Sequence, residues 1–135
     1  MTDRAKVPPS HDAATLAALA GAREIRLETT SLDGTRTRLT TIRAVTDQEQ
    51  VFVRSVRGPT GRWFRELQSR PSAIVHVAGL RIPVRAELAA DAATVQRVSD
   101  AFEAKYDRRS GSTRSMLQPR TLPTTLRLDP SPDSR

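Results

Sequence analysis

Residues Val53 to Arg65 read VRSVRGPTGRWFR and bring together Arg54, Arg57, Arg62 and Arg65 with the hydroxyls of Ser55 and Thr60, the glycines Gly58 and Gly61, and the pair Trp63-Phe64. Each residue type has a use at an anion. Arginine presents a planar fork of donors that matches phosphate oxygens, and glycine lets backbone N–H groups approach closely. The first turn of a helix adds unpaired N–H groups and a favourable dipole. The segment joins the end of a strand to the start of a short helix, so arginines can converge on one anion from two sides, with Arg54 and Arg62 as the leading pair. The same residues also fit a solvated basic turn whose Trp63 anchors in the core, and spacing alone does not separate the two readings.

Other chemistries find less support. Ser55 lies in a charged turn, but no nucleophile elbow surrounds it, and His76 falls mid-strand, where a hydrogen-bonded, half-exposed histidine is the default. Glu24, Glu28, Glu66 and Glu103 read as residues of solvated faces rather than as a catalytic pair. The chain has no cysteine, and its two histidines, His11 and His76, are far apart in sequence, so no metal site is expected. The net charge of +7 is carried by arginine, since Lys6 and Lys105 are the only lysines. Acidic residues interleave with these arginines, and the aromatics form no stacking platform, so nucleic-acid binding is disfavoured.

The elements that must position the basic loop follow from periodicity. A chain of 135 residues, 37% hydrophobic and 27% charged, suits one soluble domain. We expect a folded domain over 10–129, polar tails at 1–9 and 130–135, and, without a signal-like or membrane-length apolar run, a cytoplasmic location. A short amphipathic helix runs from Ser10 to Gly21, capped by Ser10 or Asp12. Glu24 to Leu32 alternates as a half-buried strand, Asp33-Gly34 predicts a type I′ hairpin turn, and Thr35 to Val45 returns. Asp47 to Gln50 turns the chain again into Val51 to Val56, giving a three-stranded meander. Arg62 to Gln68 is a short helix ended by Arg70-Pro71. Ala73 to Val77 and Leu80 to Leu88 form a hairpin turned near Ala78-Gly79, with Pro83 at an edge or bulge. Asp91 caps a helix to about Tyr106, whose stripe of Val95, Val98, Phe102 and Tyr106 reads as core packing. Residues Asp107 to Pro119 read as a polar loop, and Thr124 to Leu128 as a last strand. The expected architecture is α+β, a six-stranded antiparallel split β-barrel with flanking helices.

Three blocks in order carry a family resemblance: Arg54-Ser55 with Gly58 and Arg62-Trp63-Phe64, then Asp100 to Tyr106 (DAFEAKY), then Thr124 to Pro130 (TTLRLDP). Over roughly Ala22 to Pro130 the chain resembles a bacterial family known only as a domain of unknown function. That family is assigned to the FMN-binding split-barrel superfamily, beside pyridoxamine phosphate oxidases and deazaflavin-dependent nitroreductases. The resemblance implies a homodimer that binds FMN or a deazaflavin and acts as an oxidoreductase on a small molecule, with no metal. Together with the chemistry of the basic loop it gives a candidate cofactor site at Arg54, Ser55, Arg57, Gly58, Thr60, Arg62, Trp63 and Arg43. Arg62 falls where an oxidase-type phosphate arginine lies, and Leu67-Gln68-Ser69-Arg70-Pro71 resembles the family's Leu-x-x-Asn-Pro step with arginine in place of asparagine.

Two departures qualify that implication. Phe64 lacks the tyrosine hydroxyl usual in the nitroreductase branch, and Thr41-Ile42-Arg43 stands where close relatives carry tryptophans. Arg43 offers a contact to an anionic group instead. These departures leave a second function open: a ligand-binding or assembly module that has lost its cofactor.

Overall fold

The computed structural model describes residues 10–107 and 110–131; the remainder of both expected tails, 1–9 and 132–135, lies outside the described residues. Helix α1 (Ala13–Gly21) begins at Asp12, whose carboxylate accepts the Thr15 N–H at 2.8 Å. Strand β1 (Ile25–Thr30) buries Ile25, Leu27 and Thr29 and turns Arg26, Glu28 and Thr30 outward, the alternation of a strand with one core face.

The sheet has seven strands rather than the expected six, and the second strand accounts for the difference. Thr35 to Val45 is not one element. β2 (Thr37–Ile42) pairs with β1, the chain breaks at Arg43, and β3 (Ala44–Asp47) pairs with β4 (Gln50–Val53). With β5 (Ser72–Val77), β6 (Leu80–Leu88) and β7 (Leu126–Pro130), the order is β2-β1-β5-β6-β7-β4-β3, all antiparallel where paired. The expected meander is therefore also corrected, because β2 and β3 stand at opposite ends of the sheet. A single residue links those ends, so the sheet must curl until they meet, which makes the architecture an α+β split barrel. Pro83 sits where β6 is paired to β5 alone, since the β7 pairing begins at Val84.

The Asp33-Gly34 turn differs from expectation as well. Only Gly34 takes a positive φ, +77°, whereas a type I′ turn needs two such residues. The Asp33 carboxylate instead accepts from the Ser31 and Thr35 hydroxyls and the Thr35 N–H, building a wider loop from side chains. Those bonds, Thr35 first, hold its pKa well below the usual carboxylate range. Paired positive φ occurs at Gln48-Glu49 (52° and 66°) and Ala78-Gly79 (51° and 77°), which close the β3-β4 and β5-β6 hairpins.

Two apolar layers share β4. Val51 and Val53 face the barrel interior with Ile25, Leu27, Val75, Leu126 and Leu128, where Trp63, Phe64 and Leu67 of α2 (Arg62–Ser69) also pack. Phe52 faces the other way, onto Val98, Phe102 and Tyr106 of α3 (Ala92–Lys105), with Val45 and Met116. Val98, Phe102 and Tyr106 of the expected stripe are thus core packing, while Val95 is half-buried outside that cluster. The expected loop at 107–119 contains a further helix, α4 (Gly111–Met116), started by Ser110 accepting the Thr113 N–H and anchored by buried Thr113 and Met116. Among the described residues, no helix is long and apolar enough to cross a membrane.

Candidate functional site

The end of β4, the start of α2 and the break at Arg43 border one cavity of about 690 Å³. Of the residues singled out from the sequence, Arg43, Arg54, Ser55, Arg57, Thr60, Arg62 and Trp63 line it, while Gly58 does not. Arg65, Gly61, Thr40, Ser115 and Met116 join them, and Glu24 is the only carboxylate on the wall. Five arginines against one glutamate make the cavity strongly electropositive.

The turn that carries the loop is built on glycine. Gly58 has φ +72° and opens a 3-10 turn over Gly58–Thr60, and a Cβ there would sit 3.0 Å from the Arg120 carbonyl. A Cβ on Gly61 would overlap the Ser55 Oγ. Ser55 is fully buried; its N–H donates to Thr124 Oγ1 at 3.0 Å and its hydroxyl to the Gly58 carbonyl at 2.8 Å. Ser55 therefore shapes the turn. Gly61 precedes α2 without any side-chain cap, so the helix's first N–H groups remain available at the cavity edge.

The arginines divide into two kinds. Arg54 is fully buried and its guanidinium reaches four neutral acceptors: Thr125 Oγ1 (2.8 Å), Ser99 Oγ (3.0 Å), and the carbonyls of Met116 (3.1 Å) and Val95 (2.9 Å). It also lies over the Phe102 ring, and burial lowers its pKa to about 10. The expected convergence of Arg54 and Arg62 on one anion is thus changed: Arg54 ties β4 to α3, α4 and β7 from behind the cavity.

Arg62 keeps 39% of its side chain exposed. Its Nη1 donates to both oxygens of Glu66, at 3.0 and 3.2 Å, and its Nη2 to Thr40 Oγ1 at 2.9 Å, leaving Nε free of those bonds. Glu66 is the residue that the sequence reading misplaced. It is 2% exposed, accepts the Thr29 hydroxyl at 2.6 Å, and lies 3.2 Å from Arg38 Nε. Its spacing from Trp63, three residues on and beside Leu67, places it on the inward face of α2, and that spacing was the available signal.

Arg43 stands over the Tyr106 ring, 4.6 Å from its centre. The Tyr106 hydroxyl donates to the Arg23 carbonyl at 2.8 Å, and burial raises its pKa. Trp63 is 8% exposed and belongs to both the barrel core and the cavity wall. Arg57 and Thr60 are exposed at the mouth, where the Thr60 hydroxyl donates to the Arg57 carbonyl at 3.2 Å. Elsewhere, His76 Nε2 pairs with Glu28 Oε1 at 2.8 Å, so it is occupied in the half-exposed manner expected of a strand histidine. No group of three or more metal-ligating side chains occurs among the described residues.

An arginine-lined cavity at the start of a helix, set in a curled antiparallel sheet, agrees with the three sequence blocks, and the model of one family matches residues 15–128. The chain belongs to DUF2255, a family of uncharacterised proteins conserved in bacteria. Several solved structures share the fold of this chain. A Listeria innocua protein provisionally named a pyridoxamine 5′-phosphate oxidase is 14% identical over 87% of this chain and 91% of its own, with a TM-score of 0.64. HutZ, the heme storage protein of Vibrio cholerae, is 16% identical over 90% of this chain and 91% of its own, at 0.61. An F420-H2 dependent reductase is 10% identical over 79% of this chain and 94% of its own, at 0.60. At such identities the likeness is one of fold. No curated protein matches the DUF2255 chain.

Proposed function

We infer that this protein binds FMN or a deazaflavin as a homodimer and serves as an oxidoreductase for a small organic molecule. The observation that carries the reading is the cavity itself, where five arginines and an uncapped helix start border one space of about 690 Å³. Such donors suit a phosphate, and the volume suits a cofactor-sized ligand. Arg57, Arg62, Thr60 and the first N–H groups of α2 would hold the phosphate. Trp63 supplies an apolar wall, and Arg43, held by the Tyr106 ring, is the second cationic contact. Bound flavin or deazaflavin would supply hydride chemistry, so the protein's part is to bind, orient and exclude water, and no catalytic side chain is required. Val56, 43% exposed on the cavity wall, would offer a second protomer an apolar contact beside the site.

The experiment is a fluorescence titration of the purified protein with FMN and with a deazaflavin, alongside the absorbance spectrum and mass of copurifying material. Saturable binding that Arg62→Ala weakens supports the reading; colourless protein that binds neither refutes it. Light scattering reads the dimer directly.

The cofactor-free module remains the second reading because of one observation. Phe64 is buried, 7% exposed, and has no hydroxyl to offer a ring. On that reading no cofactor is recovered and Arg62→Ala leaves partner binding unchanged.

A further inference from the structure

The arginine-lined cavity has a second end, built by strands rather than by the loop. Ile25 and Ile42 are the last paired residues of β1 and β2, and both are buried. Glu24 and Arg43 are the next residues along the two strands, so they stand across from each other where the ladder opens, and both border the cavity. Glu24 is exposed and Arg43 half-buried. Among the described residues neither makes a hydrogen bond or an ion pair, whether with the other or with Arg23 and Arg26 beside Glu24. Elsewhere opposite charges within reach do pair, as Arg62 with Glu66, Arg97 with Asp47 and Arg127 with Asp129.

The Tyr106 ring accounts for the separation, because it holds the Arg43 guanidinium 4.6 Å from its centre. That ring is itself fixed: it stacks on Phe102 at 6.1 Å, and its hydroxyl donates to the Arg23 carbonyl at 2.8 Å. Arg23 lies 5.9 Å from the same ring but does not border the cavity. A ligand at this end therefore meets one preorganised cation and one unpaired carboxylate. A simple anion gains Arg43 and is repelled by Glu24. A simple cation gains Glu24 and is repelled by Arg43 and by the four further arginines on the wall. A molecule that carries both charges satisfies both residues. We propose that this end of the cavity selects a zwitterion, an α-amino acid or a short ω-amino acid, with its carboxylate on Arg43 and its ammonium on Glu24. The inference rests on the reading of the cavity as a cofactor and substrate site, and it names the charge class of the small organic molecule; the phosphate stays on the loop side, at Arg57, Thr60 and Arg62.

The test is an NMR titration of the isotope-labelled full chain with glycine, β-alanine and 4-aminobutanoate, followed at the backbone amides of Glu24 and Arg43. Butanoate and propylamine, each lacking one charge of 4-aminobutanoate, are the controls. At least one zwitterion is expected to shift both amides saturably and to bind at least ~10-fold more tightly than either control, the lower end of what one charge-assisted hydrogen bond contributes. Glu24→Gln, at an exposed position where substitution is tolerated, and Arg43→Gln should each remove that preference. Arg43→Lys, which restores the charge without the fork, should recover part of it, and Arg26→Ala should leave it unchanged. The inference is overturned if no zwitterion moves those amides, if a control binds as tightly, or if the preference survives both glutamine variants. A parallel titration with inorganic phosphate, followed at the amides of Arg57, Thr60 and Arg62, keeps the two readings apart. Phosphate that binds there while no zwitterion binds overturns this inference alone. Phosphate that does not bind overturns the cofactor reading, and with it the zwitterion as that reaction's substrate.

Discussion

Arg54 tests whether a buried arginine holds the fold or holds a ligand, and Arg54→Met and Arg54→Lys give opposite answers under the two roles. In Arg54→Met the Met116 carbonyl loses its donor, worth about 1–3 kcal/mol if it stays buried. The Val95 carbonyl lies inside α3 and retains its helical partner, and the Thr125 hydroxyl still donates to the Leu122 carbonyl at 2.8 Å. Loss of the guanidinium over Phe102 adds about 0.5–1 kcal/mol. Against these losses, a cation with no carboxylate partner no longer has to be desolvated, the effect that brings its pKa down to about 10. The balance is a destabilisation of about 1–3 kcal/mol, or a melting temperature lower by roughly 4–12 °C for a domain of this size. Arg54→Lys keeps the buried charge without the fork that reaches four acceptors, so the charge-conserving change should be the more damaging one. Urea and thermal unfolding measure the stability, and a phosphate titration of the folded variants measures the site. The reasoning fails if Arg54→Met melts like the wild type yet loses phosphate binding, or if Arg54→Lys is the more stable of the two.

Arg62→Ala should lower phosphate or FMN affinity by about 10–100-fold, the worth of a charge-assisted hydrogen bond, whereas Glu66→Gln, which retains an acceptor for Thr29 but removes the charge between Arg38 and Arg62, should chiefly lower stability, by about 1–3 kcal/mol; calorimetry and unfolding read the two separately. Gly61→Ala meets no backbone obstacle at φ −59°, so its cost, about 1–3 kcal/mol, comes from displacing Ser55 Oγ, and Ser55→Ala in the same chain should restore part of it in an unfolding double-mutant cycle. Asp91 accepts the Thr94 N–H, which lowers its pKa; its stabilising effect is present above the unfolded carboxylate value and is lost as pH falls through the folded one. Asp91→Asn should cap α3 nearly as well at neutral pH and flatten the loss of stability below about pH 4, measured by unfolding across a pH series.

Local signals in the chain were read more reliably than long-range ones, for physical reasons visible in particular residues. Alternation in Glu24 to Leu32 and Leu80 to Leu88 reports one buried face, and Asp12 and Asp91 report helix starts, because both depend on near neighbours. The break at Arg43 depends instead on closing the barrel. Ala44 and Val45, just past it, are buried one against each layer, as successive strand residues are, and no glycine or proline marks the break. Gln48-Glu49 takes two positive φ angles because the register of β3 on β4 leaves only two residues for the turn, while Asp33 satisfies its carboxylate locally and escapes that conformation. Helix α4 has little apolar periodicity and is held by contacts from elsewhere, including Arg54 on the Met116 carbonyl. Within the site, the clustering of Arg57, Thr60 and Arg62 was legible, because turn and helix start are contiguous in sequence. The inward turn of Arg54 depends on α3, α4 and β7 being in place, and the charge of Glu66 points to a surface position that its place beside Leu67 overrides.

The charges around the cavity argue for an anion more strongly than their number does. Arg62 is partly neutralised by Glu66, and Arg43 is spread over the Tyr106 ring, so each already has a favourable environment. Arg54 has only neutral acceptors, and no ion pair engages Arg57 among the described residues. Charges of one sign around a partly enclosed space repel through low-dielectric walls, where salt screens them less than at an open surface. A bound anion would relieve that repulsion, and by linkage the same relief would stabilise the fold. Glu66 sits behind Arg62 rather than across the cavity, which orients the guanidinium without closing the space in front of it.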